Sequence, residues 1–269
     1  MEKIRTIIRK EWLEVFHNRL VIFTVVFLPL MMTAIPLVIL YAMRSAGAMD
    51  AVSAAGAAAD QLPTEMSALC PDDLNSNDCL QVFMVSQFMM LFMIVPVAIP
   101  GAIAGYSVVG EKTTRSLEPL LATPITTVEL LLGKCLSAVI PAVAATYGAF
   151  GIFALGAWII LRNPSLLVVL LDARWLLAVF LVGPLIAVLA VTFALMVSSR
   201  VNDPRVAEQI SVIIIIPIMA GFFGQMTGLF ILNKEIITVT AAVLLLVDGL
   251  MFYLATRVFQ RESILTRWR

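Results

Sequence analysis

Charged residues are scarce in this sequence: they make up 13% of its 269 residues, whereas hydrophobic residues make up 61%. This balance excludes an ordinary soluble domain, in which about a quarter of the residues are charged. Histidine is nearly absent, since His17 is the single one, and this excludes a His-Glu-x-x-His zinc site. No Gly-x-Ser-x-Gly segment occurs either, so the nucleophile elbow of the serine hydrolases is excluded.

A phosphate-binding loop is missing as well. The nearest approach is the segment 105–113, in which Glu111 stands between Gly110 and Lys112 and breaks the required Gly-Lys-Thr order. An apolar run precedes the segment, where the motif requires a strand. We therefore expect a chain that is not an enzyme and binds no cofactor directly, so that any nucleotide energy comes from a partner.

Long uncharged apolar runs dominate the rest of the sequence. About 20 apolar residues form a helix long enough to cross ~30 Å of hydrocarbon, and helices satisfy every backbone hydrogen bond within lipid. We predict an all-α membrane protein, a single transmembrane domain over 1–269, embedded in the lipid bilayer. The predicted spans are six: 20–43, 80–109, 135–161, 175–199, 209–232 and 236–256.

The basic residues predict the orientation of these spans. If both termini are cytoplasmic, 14 of the 18 Lys and Arg residues lie inside, and the exceptions are Arg44, Arg162, Arg174 and Lys234. This distribution follows the positive-inside rule, and an even number of spans agrees with it. We predict a multi-pass protein of the cell membrane with cytoplasmic termini, and we expect no nucleic acid among its partners.

Residues 1–19 form a basic, amphipathic start. Apolar residues recur there at helical spacing, with Lys3, Arg5, Arg9 and Lys10 between them. This pattern predicts a helix in the inner headgroup layer, and the alternative is a plain extension of the first span. The apolar run that follows, 24 residues long at 20–43, exceeds the length of a signal-peptide core. The apolar residues are Ile4, Ile7, Ile8, Trp12, Val15 and Phe16.

Three further residues carry predictions of their own. Cys70 and Cys79 share the extracytoplasmic loop 44–79, where an oxidising environment permits a disulfide; two free thiols are the alternative. Asp248 is the one ionisable residue deep within a predicted span. Intramembrane acids commonly face a partner, a cavity or a proton path, so Asp248 is a candidate for substrate or coupling-ion contact. A structural buried acid is the alternative.

The segment 110–134 joins predicted spans 2 and 3 on the cytoplasmic side. Leu117, Leu120 and Leu121 stand at i, i+3 and i+4, which gives a short helix one apolar ridge. Thr123-Pro124 disfavours continuation of that helix. Thr126 or Thr127 then begins a new helix, with Glu129 placed for a capping box. From these residues alone, the segment either docks a soluble partner or covers the bundle.

A resemblance favours docking. The segment 111–134 reads Glu-Lys-Thr-Thr-Arg-Ser-Leu-Glu-Pro-Leu-Leu-Ala-Thr-Pro-Ile-Thr-Thr-Val-Glu-Leu-Leu-Leu-Gly-Lys and resembles the hallmark of the ABC-2 type transporter permeases. Arg-Lys-Glu-Trp at 9–12 and Phe-Gln-Arg-Glu at 259–262 resemble the opening and the close of that family. The resemblance implies an exporter subunit that pairs with a second copy of itself or a paralogous permease. It also implies separate ABC ATPase subunits, which hold ATP and Mg²⁺.

The resemblance further assigns roles within the segment. It implies that 110–134 is a coupling helix that rests in a groove of the ATPase, and that the N-terminal helix lies near the ATPase too. The residues expected to couple to the ATPase are Glu111, Lys112, Leu117, Glu118, Leu120, Leu121 and Pro124.

Few polar side chains lie in the predicted spans, and they form no charge cluster. Such a lining suits a hydrophobic or amphiphilic compound, a drug or a lipid. Sodium efflux is the alternative within the same family, and a self-contained channel or secondary transporter is the alternative from another class. Prolines inside the first five spans predict kinks at which rigid segments rock.

Overall fold

The computed structural model describes residues 2–44, 76–113, 125–161, 164–201, 203–229 and 232–258. Within these ranges every regular element is a helix, and six helical stretches are long and apolar enough to cross a membrane. The predicted all-α fold with six spans is confirmed. The elements are α1 Glu2–Val15, α2 Arg19–Arg44, α3 Ser76–Phe92, α4 Val95–Thr113, α5 Thr127–Leu161, α6 Pro164–Leu170, α7 Ala173–Leu177, α8 Gly183–Arg200, α9 Pro204–Ser211, α10 Ile215–Met226 and α11 Lys234–Val258.

Several spans are built from more than one helix, and three of the irregular stretches precede a proline, whereas Pro29, Pro36, Pro100 and Pro141 lie inside helices that continue unbroken. Helices α3 and α4 form span 2 and are separated by a turn that precedes Pro96. A π-helical turn at Ala178–Val182 precedes Pro184 in span 4, and a 3₁₀ turn at Val212–Ile214 precedes Pro217 in span 5. Since proline donates no backbone hydrogen bond and clashes with the preceding turn, it favours an irregular helix just before it. The proposed rocking about these positions stays a prediction.

Spans 2 and 4 form the centre of the bundle. In their most apolar windows, 61% and 50% of the residues are buried, against 12–17% for spans 1, 5 and 6. Where α4 meets α8, small side chains such as Ala104, Ala187 and Ala194 are buried and bring the helices close. The Ser198 hydroxyl of α8 lies 3.4 Å from the Ala104 carbonyl of α4 as a hydrogen-bond donor.

At the end of the bundle opposite α1, short polar contacts join neighbouring spans. Asp172, just before α7, pairs with Arg174, and the Lys234 ammonium of α11 lies 4.0 Å from the same carboxylate. Helix α10 ends at Met226, earlier than the predicted limit at 232. Gly228 adopts φ 72°, and the Leu229 N–H donates to the Gly224 carbonyl at 2.9 Å, which closes the helix.

Helix α1 is a separate element and not an extension of span 1. It ends at Val15, and a turn over 16–18 leads into α2. Its buried residues are Ile7, Glu11 and Val15, spaced four apart along one face, whereas Trp12 and Phe16 are 36% and 38% exposed. An acid therefore stands in the middle of the face that packs against the bundle. The interfacial position of α1 in the membrane stays a prediction.

Candidate functional site

The two ends of the predicted coupling segment are the last turn of α4 and the first turn of α5. Glu111 and Lys112 lie in the last turn of α4, which ends at Thr113. Helix α5 begins at Thr127. The other residues predicted to couple to an ATPase lie outside the described residues, and they are Leu117, Glu118, Leu120, Leu121 and Pro124.

A reciprocal cap fixes the start of α5. The Glu129 backbone N–H donates to the Thr126 hydroxyl at 3.2 Å, and the Thr126 backbone N–H donates to a Glu129 carboxylate oxygen at 2.9 Å. This is the capping box that the sequence predicts, with Thr126 and not Thr127 as the capping residue. The chain therefore enters α5 at a defined residue and in a fixed direction.

Helix α1 runs beside the beginning of α5 in the same direction, because the contacts advance together along both helices. The Lys3 ammonium lies 3.8 Å from the Glu129 carboxylate. Next, Ile7 packs on Gly133 so closely that a Cβ added there would lie 2.8 Å from the Ile7 Cγ2. Last, the Trp12 indole N–H donates to the Ser137 carbonyl at 2.9 Å.

A buried polar triad lies in the middle of this contact. The Lys134 ammonium donates to Glu11 Oε1 and to the Ser107 hydroxyl, both at 2.7 Å, and that hydroxyl donates to Glu11 Oε2 at 2.6 Å. Glu11, Lys134 and Ser107 are 1%, 3% and 8% exposed. Each side chain thus contacts the other two, and the triad joins α1, α4 and α5 at one point.

Sequence reasoning singled out the segments that contain Glu11 and Lys134 but did not pair the two residues, and it passed over Ser107. A signal was present. Glu11 stands four residues after Ile7 and four before Val15, within an apolar face, and Lys134 adjoins the uncharged run of span 3. Two opposite charges on faces that must be buried predict a pair, although the spacing of 123 residues hides it.

The comparison with known families finds a match that contains all three residues of the triad. The model of the ABC-2 family transporter proteins matches residues 5–257, which include most of α1, both ends of the coupling segment and the six spans as far as Arg257. The chain belongs to the ABC-2 transporter family. Members of this family are multi-pass, non-catalytic membrane components of ABC transporters and generally work with ABC ATPase subunits. The comparison with curated proteins gave no match.

For the ABC-2 chain, the polar side chains within the spans fall into two groups. Thr33, Thr146 and Thr192 donate to carbonyls of their own helices at 2.7–2.9 Å, and therefore bond locally. Gln81, Gln87 and Gln225 differ, because they are buried and carry amide atoms that lack a hydrogen-bond partner among the described residues. These three amides are the better candidates for contact with a transported molecule.

A cavity of about 290 Å³ lies among spans 2, 4, 5 and 6, and its lining is almost entirely apolar. Met90, Trp175 and Ile218 line it, with Thr240 as its polar side chain. A much smaller pocket shares Trp175 with this cavity and adds the polar side chains of Arg174 and Gln225. The two pockets therefore adjoin at Trp175, and the unpartnered Gln225 Oε1 lines the smaller one.

Asp248 is buried, at 8% exposed, and neither carboxylate oxygen has a hydrogen-bond partner among the described residues. Arg257, on the same helix, contacts Tyr253 instead. Cys135 on α5 is a buried free thiol. Of the predicted disulfide pair, Cys70 lies outside the described residues, and Cys79 is placed within α3 without a described side chain.

Proposed function

We propose that the chain is the permease subunit of an ABC exporter. Two copies, or this chain and a paralogous permease, form the translocation pathway and bind separately encoded ATPase subunits. The observation that carries the proposal is the family match over 253 residues, 5–257. It is supported by the position of the segment between α4 and α5.

Transport follows from a shift between two arrangements of the bundle. ATP binding brings the two ATPases together, and their grooves carry the coupling segments with them. The spans then open toward the opposite side. ATP drives this change to the extent that the two arrangements contact the ATPase with different free energies.

The transported compound is hydrophobic or amphiphilic. The apolar cavity of about 290 Å³ and the small polar pocket that adjoins it at Trp175 support this assignment, because sites for such molecules are mostly apolar and have a few polar groups. Replacing Gln225 with Leu should weaken the binding of an amphiphile with a hydroxyl or amine head group. Replacing Thr33, which bonds within its own helix, is the matched control and should leave binding unchanged.

Sodium efflux is the second candidate, and the buried, unpartnered carboxylate of Asp248 favours it. A buried acid is costly in a membrane and commonly serves ion or proton movement. Asp248→Asn separates the two functions, because it should abolish sodium efflux but leave the export of an amphiphile intact.

Co-purification with the ATPase tests the proposed docking. The ATPase is purified with the wild-type permease or with the Glu118→Arg, Leu121→Arg double variant, and bound ATPase is quantified. We expect the double variant to lose binding because it puts two positive charges on the predicted docking ridge. Glu235→Arg, a charge reversal at an exposed position at the other end of the bundle, is the control. Normal binding and stimulation of the ATPase by the double variant would refute the docking assignment.

A further inference from the structure

We propose that Glu11, Ser107 and Lys134 act as positioning residues that clamp both ends of the coupling segment to α1. The segment, α1 and the adjoining turns of α4 and α5 then move as one body when an ATPase pushes on the segment. This inference rests on the proposed function and adds a role for three residues and for α1. The three residues Glu11, Ser107 and Lys134 are called the triad clamp below.

The position of the triad is the first support. Ser107 lies six residues before Thr113, where α4 ends, and Lys134 lies seven residues after Thr127, where α5 begins. The coupling segment follows α4 after Ser107 and ends on α5 at Lys134. The Lys134 ammonium donates to the Ser107 hydroxyl at 2.7 Å and so joins α4 and α5 beside both ends of the segment. A force on the segment therefore reaches α4 and α5 together.

The chemistry of the triad is the second support. A buried ion pair contributes little net stability, and apolar side chains of similar volume commonly hold a core as well or better. Its advantage is geometric, because charged hydrogen bonds at 2.6–2.7 Å fix both distance and direction. Here they fix three helices from distant parts of the chain. The triad thus specifies one relative position of α1, α4 and α5.

Two neighbouring contacts prevent α1 from turning or sliding about that point. Ile7 packs on Gly133 one turn before Glu11, and the Trp12 indole bonds to the Ser137 carbonyl beyond it. With three contacts along its length, α1 follows α5 as a unit. Since α1 connects to span 1 through the short turn at 16–18, movement of the segment also reaches span 1.

The test compares coupling with assembly in the complete complex of permease and ATPase. Three quantities are measured: the amount of ATPase that co-purifies, the rate of ATP hydrolysis, and substrate transported per ATP in liposomes. For Lys134→Met combined with Glu11→Gln, which leaves no unpaired buried charge, we expect normal co-purification and a fall of about tenfold in transport per ATP, which lies within the usual range of coupling between sites. The charge exchange Glu11→Lys with Lys134→Glu should recover most of that loss, because it restores the pair.

Ser107→Ala keeps the ion pair and removes the hydrogen bond that joins α4 and α5 beside both ends of the segment. Ser198→Ala is its matched control, because Ser198 is also a buried serine that hydrogen-bonds across the α4–α8 contact. We expect transport per ATP to fall in the first variant and not in the second. Equal losses in both, or a parallel fall of assembly and transport, would show a merely structural role and overturn the proposal. Wild-type coupling in Lys134→Met combined with Glu11→Gln would overturn it too.

A second measurement uses the permease without an ATPase, so that it separates this inference from the proposed function. Amide hydrogen exchange in α1 is followed in the purified permease. We expect exchange in α1 to accelerate in Lys134→Met and to keep the wild-type rate in Ser198→Ala, because only the first change breaks the triad. An unchanged rate with Lys134→Met would show that the triad does not hold α1. If wild-type permease binds no ATPase, the proposed function fails and this measurement still decides the clamp.

Discussion

Alanine at Gly133 should loosen α1 from the bundle. A Cβ built on Gly133 would lie 2.8 Å from Ile7 Cγ2 and 3.0 Å from Ile7 Cβ. Contacts this short are absent from folded proteins, so one helix must move. Ile7 cannot relieve the contact by rotation, because a β-branched side chain in a helix is confined to one χ1 rotamer. The whole of α1 must therefore shift away from α5.

Helix α5 provides two matched controls with the same substitution. At Gly148 an added Cβ has no other atom within 4 Å, and at Gly156 it would approach the Leu37 Cδ1 at 2.7 Å. The leucine methyls are the far end of a flexible side chain and can rotate away. Each Gly→Ala change gains helix propensity of up to ~1 kcal/mol, and this gain cancels when the variants are compared.

What remains in the comparison is the cost of overpacking, about 1–3 kcal/mol. We expect the free energy of unfolding of Gly133→Ala to lie below that of Gly148→Ala by this amount, with Gly156→Ala between them. Unfolding of the purified permease in mixed micelles, followed by circular dichroism, measures the difference. Equal stability of Gly133→Ala and Gly148→Ala would refute the close packing of α1 on α5.

Three further outcomes are expected. Thr126→Ala removes one half of the capping box, at a cost of about 1 kcal/mol, so amide hydrogen exchange in the first turn of α5 should accelerate; unchanged exchange would contradict the cap. Asp248→Asn should raise the unfolding midpoint because an amide loses less hydration on burial than a carboxylate. Asp172→Asn is the control: it breaks ion pairs with partly exposed cations and should lower the unfolding midpoint slightly. A lower midpoint for Asp248→Asn would show that the Asp248 carboxylate has a partner in the folded protein. Cys70 and Cys79 should resist alkylation until a reductant is added, whereas labelling without a reductant would exclude the disulfide.

The six spans and the capping box could be predicted from the sequence because both depend on local patterns. Apolar run length decides a span, and the order of Thr126 and Glu129 decides the cap. The residues at which helices end were harder to predict. Residues as far as 232 fit an apolar helix by composition, yet Gly228 adopts a positive φ and ends α10 at Met226.

The triad clamp could not be predicted from the sequence, for a different reason. Glu11 and Lys134 are separated by 123 positions, and no local period connects them. In the sequence, Glu11 resembles the other charged residues of a basic, amphipathic helix. Only the structure shows that the face with Ile7, Glu11 and Val15 is buried. Only the packing of distant helices therefore shows that the two residues pair. The resemblance of 111–134 to the ABC-2 permeases indicated the region but not the pair.

Reconstitution tests the central claim most directly. The permease is placed in liposomes alone or with its ATPase, and the uptake of an amphiphilic fluorescent substrate is followed with and without ATP. The account predicts transport when permease, ATPase and ATP are all present, and its loss when any one is omitted or when Glu118→Arg and Leu121→Arg are combined. Transport by the permease alone would contradict the account.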